Sequence, residues 1–194
     1  MNVTLVDHTM DPAARIGLYA GECYNAQRTV EACLRRAKKC MDDGHLSTLR
    51  FAYATFHIED ISRVCLAQFT RHVHLSYLVK SQRYVDESGA EFVIPPDLDP
   101  DLAARMQEHN ARSVALYQAL RQGGAKKEDA RFVLPGGVTT SLYVTGNFQA
   151  WVDFLRLRTD KHAQWEIRAL ALEIQRQLHR VAPELITPTV STVD

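Results

Sequence analysis

The run VTTSLYVTGNFQAWVDFLRLR, residues 138–158, changes its period at the middle. Up to Thr145 the side chains alternate and favour β-branched and aromatic types, which predicts a strand over residues 138–145. Asn147 can then accept a backbone N–H and start a helix that ends near Arg158. A strand feeding directly into a helix is the pattern around which the remaining segments are placed.

Upstream, Pro95-Pro96-Asp97 and Gly123-Gly124 bracket a long helix over residues 102–122, and a short helix over 126–132 meets Pro135-Gly136-Gly137. Nearer the N-terminus, residues 49–58 read as a strand through the alternating set Leu49, Phe51, Tyr53, Thr55 and His57. Asp60 or Ser62 can cap a helix reaching about Thr70, with Ile61, Cys65, Leu66 and Phe69 inward. Residues 26–41 form an amphipathic helix whose stripe is Val30, Cys33, Leu34, Ala37 and Met41, and residues 2–6 a short strand. Downstream, residues 162–180 form a helix with Ile167, Leu170, Ala171, Ile174 and Leu178 on one face, and the chain is expected to fray beyond Pro183. Neither an internal repeat nor a linker is evident, so a single domain is expected over residues 1–182, with a flexible tail at 183–194.

Composition limits the function classes. With 194 residues, 46% hydrophobic and 24% charged, and only 7 Pro and 9 Gly, the chain is globular. Lys+Arg and Asp+Glu each total 23, so no net field draws it to nucleic acid or an anionic membrane, and any anion site must be local. No stretch approaches the ~20 apolar residues of a membrane span, and residues 1–17 carry acids without a basic, apolar leader, so a cytoplasmic location is expected. Cys23, Cys33, Cys40 and Cys65 contain no C-x-x-C pair and read as reduced thiols.

Donors crowd the segment from Gln68 to Arg83: Gln68, Arg71, His72, His74, Ser76, Lys80, Ser81, Gln82 and Arg83. Such a set can cradle a phosphate, with Arg as a bidentate fork, or can be a solvated loop of surface ion pairs. His72-x-His74 lacks the further ligands a metal needs, and no metal site is expected. A nucleophilic thiolate has no convincing setting: Cys33, Cys40 and Cys65 sit on helical stripes and Cys23 has no Pro-Cys-His context. Asn147 and Arg158, eleven positions apart, point within about 20° of one direction on a helix and can serve one cleft. Equally, Asn147 can be a cap alone and Arg158 can pair with Asp160 or Glu166.

Taken together, these residues resemble the flavin-dependent thymidylate synthase family. Its signature, Arg-His-Arg followed after seven residues by Ser, is matched by Arg71-His72-Val73 and Ser81, then Gln82-Arg83-Tyr84. Gly44-His45, Gln68, Arg131 ahead of Leu134-Pro135, and the run NFQAWVDFLRLRTDKHAQWEIR at residues 147–168 extend the likeness from about Cys23 to Arg180. The resemblance implies an α+β fold, an antiparallel sheet flanked by helices, in a homotetramer whose active sites are shared between subunits. It implies FAD, NADPH and methylenetetrahydrofolate as cofactors, and C5 methylation of a uracil nucleotide without an enzyme nucleophile. Carried over by position, Gln68, Arg71, Ser81, Gln82, Arg83 and Arg131 would surround the nucleotide. His45, Ser47, Arg71, His72, Val73, His74, Asn147, Gln149 and Asp153 would border FAD. Arg158 would face the pyrimidine as the catalytic group, stabilising negative charge spread over the ring.

Three positions depart from the family pattern: Val73 replaces the second Arg, and Leu78-Val79 replace Asn-Glu. Loss of polar groups beside the sugar and base implies a different substrate discrimination. In this the chain resembles the divergent uridylate C5-methylase branch of peptidyl-nucleoside antibiotic pathways such as polyoxin, which implies UMP and dUMP as substrates. A dUMP-specific thymidylate synthase and a flavin- or nucleotide-binding protein without catalysis are the alternatives.

Overall fold

The structure, a computed structural model, describes residues 1–188. Its elements are β1 (Asn2–His8), α1 (Pro12–Ala20), α2 (Val30–Asp42), β2 (Tyr53–Ser62), α3 (Arg63–Phe69), β3 (Ser76–Val79), α4 (Pro100–Gln122), α5 (Lys127–Ala130), β4 (Thr139–Asn147), α6 (Phe148–Arg158) and α7 (Trp165–Val181), with 3-10 turns at Gly21–Tyr24, Leu46–Phe51 and Arg131–Val133. The strands form one antiparallel sheet in the order β1-β2-β4-β3, and the fold is α+β with helices flanking the sheet.

By packing, the chain divides into two compact units: one of Met1–Asn2, Glu59–Gln68 and Leu78–Leu142, the other of Val3–Ile58, Phe69–Tyr77 and the chain from Tyr143 onward. Each unit draws on separated segments, which is why no single linker marks them in the sequence.

In the larger unit, α1 and α2 cross at Gly17, where a Cβ would lie 1.8 Å from the Cys33 carbonyl oxygen. Only glycine permits that approach. Arg36 Nη1 donates to the Gly17 carbonyl at 2.6 Å across the same crossing. The core is aromatic: Trp151 meets Phe56 edge-on at 5.1 Å, Phe69 lies 4.8 Å from Phe154, and the Trp151 indole N–H donates to the Ala54 carbonyl at 3.0 Å. From α7, Ile167, Leu170, Ala171, Ile174 and Leu178 are fully buried, as the periodicity required. In the smaller unit, Tyr117 of α4 is fully buried and its hydroxyl accepts from the Glu87 amide at 3.2 Å.

Several boundaries and one strand register differ from the sequence expectation. The segment at 49–58 is not one strand: Leu46–Phe51 is a 3-10 turn and β2 begins at Tyr53. The buried set is Ala52, Ala54, Phe56 and Ile58, while Phe51 and Tyr53 are exposed, so the core face is offset by one residue. α2 starts at Val30, because Thr29 is extended and its Oγ1 accepts from Ala32 N at 3.3 Å. Ser62, not Asp60, takes the capping bond of α3, accepting from Cys65 N at 2.9 Å. α1 was not anticipated, although Pro12 sits at its start where a missing N–H costs nothing. Fraying does not begin at Pro183: Leu185 and Ile186 are buried, and Gln175 Nε2 donates to the Thr187 carbonyl at 3.1 Å. The remainder of the expected tail, residues 189–194, lies outside the described residues.

Candidate functional site

β4 delivers the chain into α6 through Asn147, whose Oδ1 accepts from Ala150 N at 2.9 Å. That bond fixes the first turn and the direction in which Gln149 and Asp153 leave the helix. With His74 and Asn147 itself, these two line a pocket of about 240 Å³, together with Arg50 and Ala150. Four side chains expected at the flavin, His74, Asn147, Gln149 and Asp153, are thus brought together. Arg50 joins them unanticipated, its Nε donating to Gln149 Oε1 at 2.6 Å. A single strand over 49–58 would have treated Arg50 as an ordinary outward residue; the 3-10 turn is what presents it here.

His45 precedes this turn, exposed, its carbonyl accepting from Thr48 Oγ1 at 2.9 Å. Ser47 lines a second, apolar groove of about 920 Å³ with Tyr19, Cys23, Arg28 and Phe51, and Arg50 belongs to both cavities. Arg71 and Val73 are exposed in the turn after α3 and do not line the small pocket.

Asn147 and Arg158 occupy opposite ends of α6, about 16 Å apart along the helix axis. At the far end Arg158 Nε donates to His72 Nε2 at 3.0 Å. The donor requires Nε2 to be an acceptor, placing the imidazole proton on Nδ1. Burial depresses the His72 pKa, and the cations of Arg158 and then Arg71 depress it further against a smaller opposing effect of Asp153. Phe154 meets the ring edge-on at 5.0 Å, so α6 supplies both a ring contact and the hydrogen bond to His72. The chain after His72 is tied down by Tyr77, whose hydroxyl donates to the Phe69 and His72 carbonyls at 2.7 and 3.1 Å. Burial pushes that hydroxyl's pKa well above the usual phenol range.

The residues expected at the nucleotide are differently held. Gln68 is half-buried in the last turn of α3. Ser81 opens a tight turn, its Oγ accepting from Arg83 N at 3.3 Å. Arg83 reaches outward to Glu128 at 2.8 Å, and Arg131 Nε donates to the Glu128 carbonyl at 3.0 Å. Gln82 is buried, and its Nε2 has no partner among the described residues.

Arg63 is a residue the sequence reading missed. Its Nη2 donates to the Lys80 carbonyl at 2.9 Å, while its Nε is buried and unpartnered among the described residues. Burial lowers its pKa, the Glu87 carboxylate opposes this, and Arg131 lowers it further. Two mutually repelling guanidinium groups with spare donors form a local anion-binding setting. The signal lay in Arg63 following a capping Ser within an otherwise apolar stripe.

Residues 4–184 match the protein family described as thymidylate synthase complementing protein. The flavin-dependent thymidylate synthase of Geobacter sulfurreducens is 38% identical, over 95% of this chain and 85% of its own length. Those of Mycolicibacterium gilvum and Mycobacterium avium are 40% and 39% identical over 76% and 75% of this chain, and here the chain spans 66% and 65% of the relatives' length. With the family matched along nearly its whole described length, the chain belongs to the flavin-dependent thymidylate synthases.

Proposed function

We propose that the chain reductively methylates C5 of a uracil nucleotide, accepting UMP as well as dUMP, with methylenetetrahydrofolate as one-carbon donor and NADPH as reductant. The observation that carries this reading is Arg158 held by a neutral His72 at the end of α6. A guanidinium so oriented, beside the O2/N3 edge of a uracil, stabilises negative charge in the ring and makes C5 a better nucleophile. No thiolate addition is then required. Cys33, Cys40 and Cys65 are buried, and Cys23 lines the apolar groove, which supports that economy.

The donor set of the small pocket suits FAD: amides and a carboxylate for ring edges and hydroxyls, a guanidinium for phosphate. FAD when bound supplies the redox chemistry, and the protein supplies orientation and electrostatics. At about 240 Å³ the pocket is smaller than the roughly 300–1,000 Å³ of ordinary ligand sites. One chain therefore provides part of the surroundings, in keeping with a cytoplasmic homotetramer of shared sites. Val73, Leu78, Tyr84 and Phe132, all more than three-quarters exposed, are apolar surface for neighbouring copies to cover.

Nucleotide binding draws on Gln68, Arg71, Ser81, Gln82, Arg83 and Arg131, with Arg63 added. Leu78, 77% exposed, and Val79 offer no polar partner that a 2′-hydroxyl would leave unsatisfied, which supports acceptance of a ribonucleotide. Such a preference would group the chain with the C5-methylases of peptidyl-nucleoside pathways. Tritium release from C5 of UMP, dUMP and uridine, measured side by side with FAD, NADPH and methylenetetrahydrofolate, tests the reading. Turnover of both nucleotides with uridine poor is expected; dUMP alone would remove the UMP assignment, and no release from any substrate would remove catalysis.

A further inference from the structure

Arg50 is the feature of the small pocket that family position did not supply. It sits in the Leu46–Phe51 turn directly after Leu49, which is fully buried, so the backbone carrying it is anchored. Its Nε is committed to Gln149 Oε1 at 2.6 Å, and its two Nη groups have no partner among the described residues. Pinning one edge of a planar guanidinium leaves the other edge aimed and free, the form in which arginine binds phosphate bidentately. Asp153 lines the same pocket but makes no ion pair with Arg50, so the carboxylate does not occupy the fork. Arg28, the other guanidinium of the adjoining groove, is by contrast bridged to Glu22 at 2.8 Å.

The surroundings strengthen the site. Arg50 lies where the polar pocket meets the apolar groove, whose wall includes the Tyr19 and Phe51 rings, 5.7 Å apart. Arg50 is exposed as it stands; a ligand lying there covers the guanidinium, and charge-assisted bonds gain in strength as water is excluded.

We infer that Arg50 is the phosphate seat of the flavin pocket, binding the pyrophosphate of FAD through its Nη edge while Gln149 holds its Nε. The inference rests on the flavin reading of this pocket and adds to it a residue and a chemical discrimination. Flavins that carry phosphate should depend on Arg50, and the bare flavin should not.

The test is binding of FAD, FMN and riboflavin to the flavin-stripped full-length protein, followed by quenching of flavin fluorescence, for wild type, Arg50→Ala and the exchange Arg50→Gln/Gln149→Arg. Loss of a phosphate-binding guanidinium should weaken FAD and FMN by about ten- to hundredfold and riboflavin by less than about threefold. The exchange moves the guanidinium to the other end of the same hydrogen bond and should recover part of the FAD and FMN affinity. Equal weakening of all three flavins, or no weakening of FAD, would overturn the assignment of Arg50 while leaving the flavin pocket in place. A wild-type protein that binds none of the three would overturn both.

Discussion

The α6 region and the segment from Ser81 to Arg131 hold their polar side chains in opposite ways. Along α6 three of the functional groups are already engaged: Asn147 caps the helix, Gln149 accepts from Arg50, and Arg158 donates to His72. In the other segment, Gln82 Nε2 and Glu87 Oε1 are buried and unpartnered among the described residues, and Arg83 is turned to Glu128. Buried polar groups left open carry a desolvation cost that a ligand supplying their partners can remove. The polar groups of one region are already paired, while the other keeps buried polar groups open.

The sharpest way to break this contrast is Arg158→Ala. A group organised for charge developing in the reaction should be worth on the order of 10²–10³ in kcat when removed, while flavin content, read from visible absorbance, stays at the wild-type level. Loss of flavin together with activity would show that Arg158 supports the pocket and not the chemistry. Single Cys→Ser variants provide the control and should retain turnover.

How legible each region was follows from the same contrast. The strand-to-helix switch at Asn147 could be read because one capping residue and a change of period are local signals, and the structure reproduces α6 from Phe148 to Arg158. Arg50 could not, because Leu49, Phe51 and Tyr53 alternate as well in a 3-10 turn followed by a strand as in one strand, and only tertiary packing separates the two. Likewise the pairing of Arg158 with His72 joins residues 86 positions apart, a separation that no local signal in the sequence spans. Arg63 was hidden for another reason: its environment, made by Glu87 and Arg131, does not exist until the chain folds.

A smaller effect sharpens the comparison from the other side. Arg83, placed at the nucleotide phosphate by the proposed function, is drawn outward by Glu128, and the shared hydrogen bond raises the Arg83 pKa and lowers that of Glu128. Both side chains are solvent-exposed or nearly so, so the bridge is weak and screened by salt. Glu128→Gln should therefore lower the KM for the nucleotide by no more than about threefold, with kcat unchanged and the gain disappearing at high salt. An increase in KM would mean that Glu128 positions Arg83 for binding, and the second region would then be as organised as the first.

The smallest effect concerns the proton on His72. Arg158 can donate to Nε2 only while the ring is neutral, and burial first, then the Arg158 and Arg71 cations, hold the folded-state pKa below its ordinary value of 6.5. The sign follows from which state takes up protons. As pH falls below the ordinary value, the unfolded chain protonates His72 while the folded chain resists, so the contribution to stability is complete above that value and declines through the window down to the folded pKa. An NMR titration of the His72 ring should therefore give a midpoint below the ordinary value. Arg158→Ala should move it upward without restoring it fully, because burial, the larger cause, remains. The acid limb of kcat/KM should track the same group, staying flat through the ordinary imidazole range and falling only below it. A midpoint above neutral pH would leave His72 mostly cationic there, unable to accept from Arg158, and the organised character of the α6 region would fail at its far end.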